Sequence, residues 1–323
     1  MLHTELGIEH KHLPTALVAT ARYTLKSRAD LPGILDEVRH YIPDDAIAGS
    51  AFCILRFVTS IQRGYDAEVG FPVTQPVAAW PVSSQMRPAM EVLALVHPGP
   101  LSKVSDAYRT LYSYASEHAI ISDEFAHEVY LDGDNVAEGR TEVHFVIHNW
   151  NKRLAQHLDR VVGTEARRHV MQGAESLSID TMQDERFRWV KGTLTRLEAL
   201  ADDHARYDIL SSCAHVFPEE QIAKLRQVYV EAQAQSGDPL QAVDAVLAFM
   251  AQDPGWGTAP TREGTVLYAT KQPRDPEAHA HAQTAEEKRR AYCFCPLIRE
   301  HLNAGMSPTF CYCGTGWYRQ QWE

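Results

Sequence analysis

The stretch ALVHPGPLSKVSDAYRTLYSYASEHAI (residues 94–120) carries the pattern from which the fold of the first half can be read. Val104, Tyr108, Leu111 and Tyr114 recur at the spacing of one helix face, which predicts an amphipathic helix. The flanking segments predict strands, namely AMEVLALVHPG (89–99) before the helix and FAHEVYL (125–131) and TEVHFVIH (141–148) after it. The order is strand, helix, strand, strand.

The same order of elements occurs earlier in the chain. An offset of 73 residues, which superposes Ile47 on Ile120, also superposes Leu31 on Val104, so the apolar helix faces coincide and indicate an internal repeat. Two such units can join edge to edge into one antiparallel sheet, with both helices on one face and the other face free to curve around a ligand. The first unit comprises ALVATARYTL (16–25), RADLPGILDEVRHYI (28–42), SAFCILRFV (50–58) and DAEVGFPV (66–73).

Three motifs in this order resemble the GyrI-like, or AraC-type effector-binding, domain: GFPV at the end of a strand, the 94–120 stretch, and HEVYLDGD (127–134). The resemblance covers about residues 5–150. It implies a two-repeat sheet with a central cleft for bulky, often aromatic or cationic, small molecules, and a glutamate in that cleft. Here the glutamate is Glu128, and its repeat partner is Leu55.

The resemblance makes Glu128 the candidate anchor of a ligand's positive charge, although a glutamate in an alternating strand most often faces solvent or pairs with a neighbour. We therefore expect a small-molecule-binding or sensing protein. The alternative is a GyrI-like hydrolase of a reactive compound, such as a cyclopropane-bearing toxin, in which Glu128 is catalytic and activates water. The candidate ligand-binding walls are aromatic: Tyr65, Phe71, Trp80, Tyr108, Tyr112 and Tyr130.

The pattern changes near residue 155 from alternating to helical, which predicts a GyrI-like domain over 1–155 and a mostly α-helical, cysteine-rich domain over 156–323. The fold class expected for the whole chain is therefore α+β. Helices are predicted from the apolar spacing in the segments 151–177, 184–213, 218–237 and 238–257.

Five of the six cysteines lie in the second half. Two Cys-x-Cys pairs near the end of the chain offer four soft ligands, and a further Cys-x-His pair offers two more. We expect a structural zinc site, because four thiolates leave no open coordination position. An iron–sulfur cluster, redox chemistry of the thiols and simple packing are the alternatives, and chemistry at the thiolates is a third possibility for function. The candidate metal ligands are Cys213, His215, Cys293, Cys295, Cys311 and Cys313.

Two smaller expectations concern cysteine and glycine. Cys53, alone in an apolar strand, should be a buried small hydrophobe. The glycines of CGTGWYRQQWE (313–323) predict a tight turn after Cys313.

The composition argues against some classes of partner. A formal net charge of −11 and a pI of about 5.8 disfavour direct binding to nucleic acid, since phosphate binding needs a basic surface. No apolar run approaches the roughly 18 residues of a membrane helix, and the N-terminus lacks a signal-peptide pattern. We therefore expect a cytoplasmic protein without membrane contact, whose partner is a small-molecule ligand.

Overall fold

The computed structural model describes residues 7–56, 65–133, 135–179, 181–215, 219–252 and 260–323. Its contacts divide the chain into two compact units, Met1–His148 and Asn149–Glu323. The division falls at residue 148 rather than at 155, because the helix that begins the second unit already starts at Trp150.

The first unit is the repeated strand–helix–strand–strand arrangement, and the α+β class is confirmed. Nine strands, counted over the described residues, form one antiparallel sheet in the order β1-β7-β9-β8-β3-β4-β2-β6-β5. The strands are β1 (Ile8–Leu13), β2 (Ala16–Leu25), β3 (Phe52–Arg56), β4 (Tyr65–Pro72), β5 (Ala78–Ala79), β6 (Val82–Arg87), β7 (Met90–His97), β8 (Ser122–Tyr130) and β9 (Thr141–Ile147); the helices are α1 (Leu31–His40) and α2 (Ser105–Glu117).

The two repeats meet where β3 pairs with β8. In this register Cys53 lies opposite Glu128 and Leu55 lies opposite Ala126. These four side chains share one face of the sheet, since side chains on a strand alternate between faces. Burial of the apolar faces of α1 and α2 against that face forms the core of the unit, and the buried helix residues include Leu31, Leu35, Val38, Leu111 and Tyr114.

Strands at both edges extend the sheet beyond the predicted repeats. On one side β1 pairs with β7, and on the other β6 pairs with β2 and carries the short strand β5. The sequence IEHKHL of β1 is mostly polar, so its order of apolar and polar residues does not distinguish a strand from a loop. The edge strands were not predicted.

The second unit is mostly helical, as expected. Two predicted helices are each split: Gly163, with φ of 87°, separates α3 from α4, and Asp202, whose side chain accepts from the Ala205 N–H, begins α6 after α5 ends. The elements are α3 (Trp150–Val161), α4 (Thr164–Val170), α5 (Gln183–Leu200), α6 (Asp203–Ser211), α7 (Glu219–Ser236), α8 (Pro239–Ala251), the hairpin β10 (Thr261–Glu263) and β11 (Val266–Tyr268), α9 (Pro276–His281), α10 (Ala285–Tyr292) and α11 (Tyr312–Trp322).

The last helix, α11, replaces the tight turn predicted after Cys313. Gly316 is buried on this helix, and a Cβ added there would lie 1.8 Å from the Ser211 carbonyl oxygen at the end of α6. The glycine thus serves close packing between two helices rather than a turn. Among the described residues, the helices are all too short or too polar to cross a lipid bilayer.

Candidate functional site

Glu128 lies at the centre of the sheet with its side chain fully buried. Its Oε1 accepts a hydrogen bond from the hydroxyl of Tyr108 on α2 at 2.5 Å, and its Oε2 accepts one from the hydroxyl of Tyr130 at 3.1 Å. Because Tyr108 comes from a helix, Glu128 points to the helix-covered face, not to the face that we expected to curve around a ligand. The carboxylate is therefore an internal group.

Arg28 balances the charge of Glu128. Its Nη2 lies 2.9 Å from Glu128 Oε1, and its guanidinium carbon lies 5.0 Å from the centre of the Tyr108 ring. Arg28 stands in the short turn between β2 and α1, and its side chain is 22% exposed. We call Glu128, Tyr108, Tyr130 and Arg28 the Glu128 cluster. The sequence pointed to the first three members but not to Arg28.

The hydroxyls of Tyr108 and Tyr130 and the nearby thiol of Cys53 are held in their neutral forms. Burial, reinforced by the Glu128 charge, raises the pKa of the Tyr108 and Tyr130 hydroxyls well above the usual value. Burial also raises the pKa of Cys53, which lies opposite Glu128 in the strand register and is fully buried. Cys53 is a buried thiol, as the apolar strand around it suggests.

A pocket of about 250 Å³ opens beside the cluster, between α2 and the ends of β8 and β9. The ring of Phe145 contacts two other aromatic rings of this pocket. Its centre lies 5.8 Å from that of Tyr108 and 6.5 Å from that of Tyr112. Tyr108 therefore belongs to both features, since its ring faces the pocket and its hydroxyl reaches Glu128. We call this site the aromatic pocket; its lining residues are Tyr108, Arg109, Tyr112, Ser122, Asp123, Phe125 and Phe145.

Asp123 supplies a carboxylate to the aromatic pocket. Its Oδ1 lies 3.1 Å from Nδ1 of the buried His148. The cation of the pocket, Arg109, is exposed and paired with Asp106. Sequence reasoning missed Asp123 because the pairing of β8 with β9 shifts between Ser122 and Ala126, and such an irregularity interrupts the alternation from which side-chain direction is read.

The other candidate walls lie elsewhere. Tyr130 is buried beside Glu128, and Phe71 is buried on β4 opposite Ala19. Trp80 is 91% exposed in the loop between β5 and β6 and lines no part of the pocket, because the unforeseen hairpin turns it outwards. The side chain of Tyr65 is outside the described residues. Of the predicted walls, Tyr108 and Tyr112 line the aromatic pocket.

A chain of hydrogen bonds crosses the opposite face of the sheet. Arg87 Nη1 lies 3.0 Å from His127 Nε2, and His127 Nδ1 lies 3.0 Å from His144 Nδ1. His144 Nε2 lies 2.7 Å from Glu142 Oε2, and Lys11 Nζ lies 2.5 Å from Glu142 Oε1. Since Arg87 can only donate, we assign the proton of neutral His127 to Nδ1 and that of His144 to Nε2.

Two groups of this hydrogen-bond chain, His127 and Glu142, have lowered pKa values. Burial, with the adjacent imidazole and guanidinium, holds the pKa of His127 well below its usual value. The hydrogen bond from His144, together with Lys11, lowers the pKa of Glu142 to about 2. At neutral pH His127 is therefore a neutral imidazole and Glu142 an ionised carboxylate.

The five cysteines of the second unit form one neighbourhood. The proximity of Cys313 contributes to raising the pKa of both Cys213 and Cys295, although burial is the larger cause for each. Cys293 similarly adds to the effect of burial on Cys295 and Cys311. We call these five residues the thiol neighbourhood. His215 follows Cys213 by two positions, and its carbonyl accepts a hydrogen bond from Gln320.

The sulfur atoms of the thiol neighbourhood are suitable ligands for zinc, but the distances between them are less suitable. Sulfurs bound about 2.3 Å from one zinc ion would lie within about 4.6 Å of one another. In the described part of the chain, however, no three cysteine sulfurs come within 4.8 Å of one another. Binding one ion would therefore require the side chains of these cysteines to move closer to one another.

Comparisons with known proteins give structural similarity alone. No protein-family model matches the sequence, and no curated protein matches it. The chain is similar to EcmrR in a complex with DNA, at 21% identity and a TM-score of 0.38, over 43% of this chain and 56% of that one, so it spans just over half of that chain. It is also similar to the EcmrR C-terminal domain (23% identity, TM-score 0.37, 43% and 96% covered). A further similar structure is SAV2435 bound to tetraphenylphosphonium (12% identity, TM-score 0.34, 45% and 96% covered).

Proposed function

We propose that this protein binds a bulky aromatic cation in the aromatic pocket. The observation that carries the proposal is the grouping of four aromatic rings and one carboxylate, Asp123, around a single opening. Aromatic faces attract cations through their quadrupole, and a carboxylate adds direct charge attraction. An apolar pocket with few polar groups is the usual form of a small-molecule site.

The charges around the pocket favour a cation over an anion. The net charge of −11 creates a field that attracts positive ligands and repels nucleic acid. Asp123, rather than Glu128, is the carboxylate at the pocket wall, because Glu128 is fully buried and already paired with Arg28. In this proposal Glu128 acts indirectly, by holding the hydroxyl of Tyr108 and so fixing the ring that forms one wall.

Binding of tetraphenylphosphonium, a bulky aromatic cation, tests this proposal by calorimetry. Triphenylphosphine oxide is a neutral compound of similar shape, and we expect it to bind at least about tenfold more weakly, since it lacks the cationic charge. Asp123→Asn and Phe145→Ala should each weaken binding of the cation about tenfold or more. Trp80→Ala removes an exposed aromatic side chain outside the pocket and should leave binding unchanged.

Two results would contradict the proposal. Equal affinity for the cation and the neutral compound would remove the charge argument. Equal loss of affinity in Trp80→Ala and Phe145→Ala would show that the compound binds aromatic surface without using the pocket.

Hydrolysis of a reactive compound is the second candidate function. Its support is that two tyrosine hydroxyls orient the Glu128 carboxylate. Glu128 would act as the base towards a water molecule that enters when Arg28 moves aside. Glu128→Gln should then abolish turnover and retain binding. Loss of binding together with turnover, or turnover that survives the substitution, would exclude Glu128 as the base.

We also propose that the thiol neighbourhood binds zinc. Its support is that each of the five cysteines lies near enough to another to affect a pKa in this group. A zinc ion would stabilise their thiolate forms. Metal analysis of anaerobically purified protein should find about one zinc per chain, reduced in Cys295→Ser and unchanged in Cys53→Ser. A brown protein would indicate an iron–sulfur cluster instead, and a metal-free protein would leave packing or redox chemistry as the role of the thiols.

A further inference from the structure

Arg28 occupies a position that has the features of a cation-binding site. Its guanidinium lies over the face of the Tyr108 ring and donates to the Glu128 carboxylate, 2.9 Å away. An aromatic face and a carboxylate on the same cation are the two contacts by which proteins hold guanidinium and ammonium groups of ligands. Here both contacts are made by a residue of the chain itself.

The other members of the cluster form a rigid receptor for this cation. Glu128 and Tyr130 lie on the central strand β8 and are buried, and Glu128 is oriented by hydrogen bonds from two hydroxyls. Arg28, by contrast, comes from a three-residue turn, Arg28–Asp30, outside the sheet. The receptor therefore belongs to the core of the fold, while its occupant is attached through a short surface segment.

The occupant also reaches the surface, which the carboxylate does not. The Arg28 side chain is 22% exposed, whereas Glu128 is 0% exposed. A cation that took the place of Arg28 would therefore meet solvent on one side and the Glu128 carboxylate on the other. Tyr108, which carries the guanidinium on its ring, is also a wall of the aromatic pocket, so the two positions adjoin.

Electrostatics keeps this position filled. A buried carboxylate without a cation is costly, and removing one partner of a buried pair destabilises a protein strongly because the other charge is left uncompensated. The buried Glu128 carboxylate therefore requires a cation beside it. Arg28 meets this requirement when no ligand is present.

We propose that the Glu128 cluster is a guanidinium-binding site and that Arg28 is its tethered occupant, which a ligand carrying a guanidinium or amidinium group displaces. The inference rests on the proposed function in one respect, since the displacing group would be part of a ligand that also fills the aromatic pocket. It adds a recognised chemical group and a residue, Arg28, that limits access to Glu128. Planar groups with paired N–H donors fit best, because they reproduce the hydrogen bond to Oε1 and the stacking on Tyr108.

Chemical rescue of Arg28→Ala with methylguanidinium tests the site without any knowledge of the natural ligand. Millimolar methylguanidinium should raise the thermal unfolding midpoint of the variant saturably, by about 4 °C, because a ligand that binds the folded state stabilises it. The wild type, whose site is filled, should show no saturable rise. The double variant Arg28→Ala, Glu128→Gln should show none either, since the charge that attracts the cation is gone.

Two controls separate specific binding from general salt effects. Tetramethylammonium has the same charge and no N–H donors, and it should not rescue Arg28→Ala. If Arg28→Ala does not fold, Arg28→Met retains part of the side-chain stem and is refolded with and without methylguanidinium; folding that depends on the compound supports the site. Equal shifts in all three proteins, or no rescue of either variant, would overturn the proposal.

The outcomes for the two proposals are distinct. If methylguanidinium rescues Arg28→Ala and tetraphenylphosphonium binds neither protein, the guanidinium site stands and the proposed pocket function fails. If tetraphenylphosphonium binds the wild type as expected and methylguanidinium has no effect on the variants, the aromatic pocket stands and Arg28 is only a structural partner of Glu128.

Discussion

Replacing Gly316 by alanine should separate two helices of the second unit, whereas the same change at Gly314 should not. Both glycines lie on α11. A Cβ at Gly316 would lie 1.8 Å from the Ser211 carbonyl oxygen and 2.7 Å from the Ala214 side chain, and Ser211 ends α6. A Cβ at Gly314 would meet no atom within 4 Å.

The size of the effect follows from the contact distances. Non-bonded heavy atoms pack best at about 3.5–4.0 Å, so α11 would have to move away from α6 by more than about 1 Å. Overpacking of this kind costs about 1–3 kcal/mol, and the buried contact is with backbone, which cannot rotate aside as a side chain can. We expect Gly316→Ala to lower the free energy of unfolding by about 2 kcal/mol. Gly314→Ala should raise it by up to about 1 kcal/mol, because alanine favours a helix over glycine.

Urea unfolding followed by tryptophan fluorescence is a suitable assay, since Trp317 and Trp322 lie on the same helix as the two glycines. The matched pair removes the effect of helix propensity, which both substitutions share. The midpoint should fall for Gly316→Ala and rise for Gly314→Ala. Changes of the same sign and size in both variants would refute the close approach of α11 to α6.

Acid should destabilise the first unit. The pKa of His127 lies well below 6.5 in the folded chain, so this residue takes up a proton on unfolding below that pH. The free energy of unfolding should therefore fall as the pH drops below about 6.5. Glu142 has a pKa of about 2 instead of 4.5, so it should add a further fall in the free energy of unfolding from about pH 4.5 down to 2. Urea titrations that give the same free energy of unfolding throughout both pH ranges would contradict this. Gly70→Ala should destabilise the sheet by about 2 kcal/mol, because its Cβ would lie 2.1 Å from the Ala19 carbonyl oxygen. Gly33→Ala, in open space on α1, should be neutral or stabilising. Equal unfolding midpoints of the two variants in a thermal scan would argue against the pairing of β2 with β4.

The repeated strand–helix–strand–strand pattern could be predicted because each of its elements is a local property. Alternation of apolar residues along β8 and helical spacing along α2 are visible within windows of ten to twenty residues. The edge strand β1 was missed because its polar sequence carries little of this signal. The predicted helix over 184–213 was too long for a related reason, since the Asp202 cap that begins α6 lies inside an otherwise helical pattern.

The candidate site was less accessible to such reasoning. The resemblance to a family pointed to Glu128 and Tyr108, and they do contact each other. Arg28 was invisible, because its contact with Glu128 joins positions far apart in the chain and depends on how the two repeats meet. The spacing of the cysteine pairs likewise suggested four sulfurs around one ion, but distances between sulfurs on separate helices cannot be read from their positions in the sequence.

The amino-acid sequence alone established the α+β class, the two repeats of the sheet and the helical second half, because hydrophobic periodicity is a local signal that burial against a core converts directly into structure. The tertiary structure established the direction in which Glu128 points, its pairing with Arg28, and the meeting of Asp123 with Phe145 in one pocket. These features depend on strand register, on one bulge and on contacts between distant segments. A shift of a single residue in that register would turn Glu128 to the other face while leaving every local pattern unchanged.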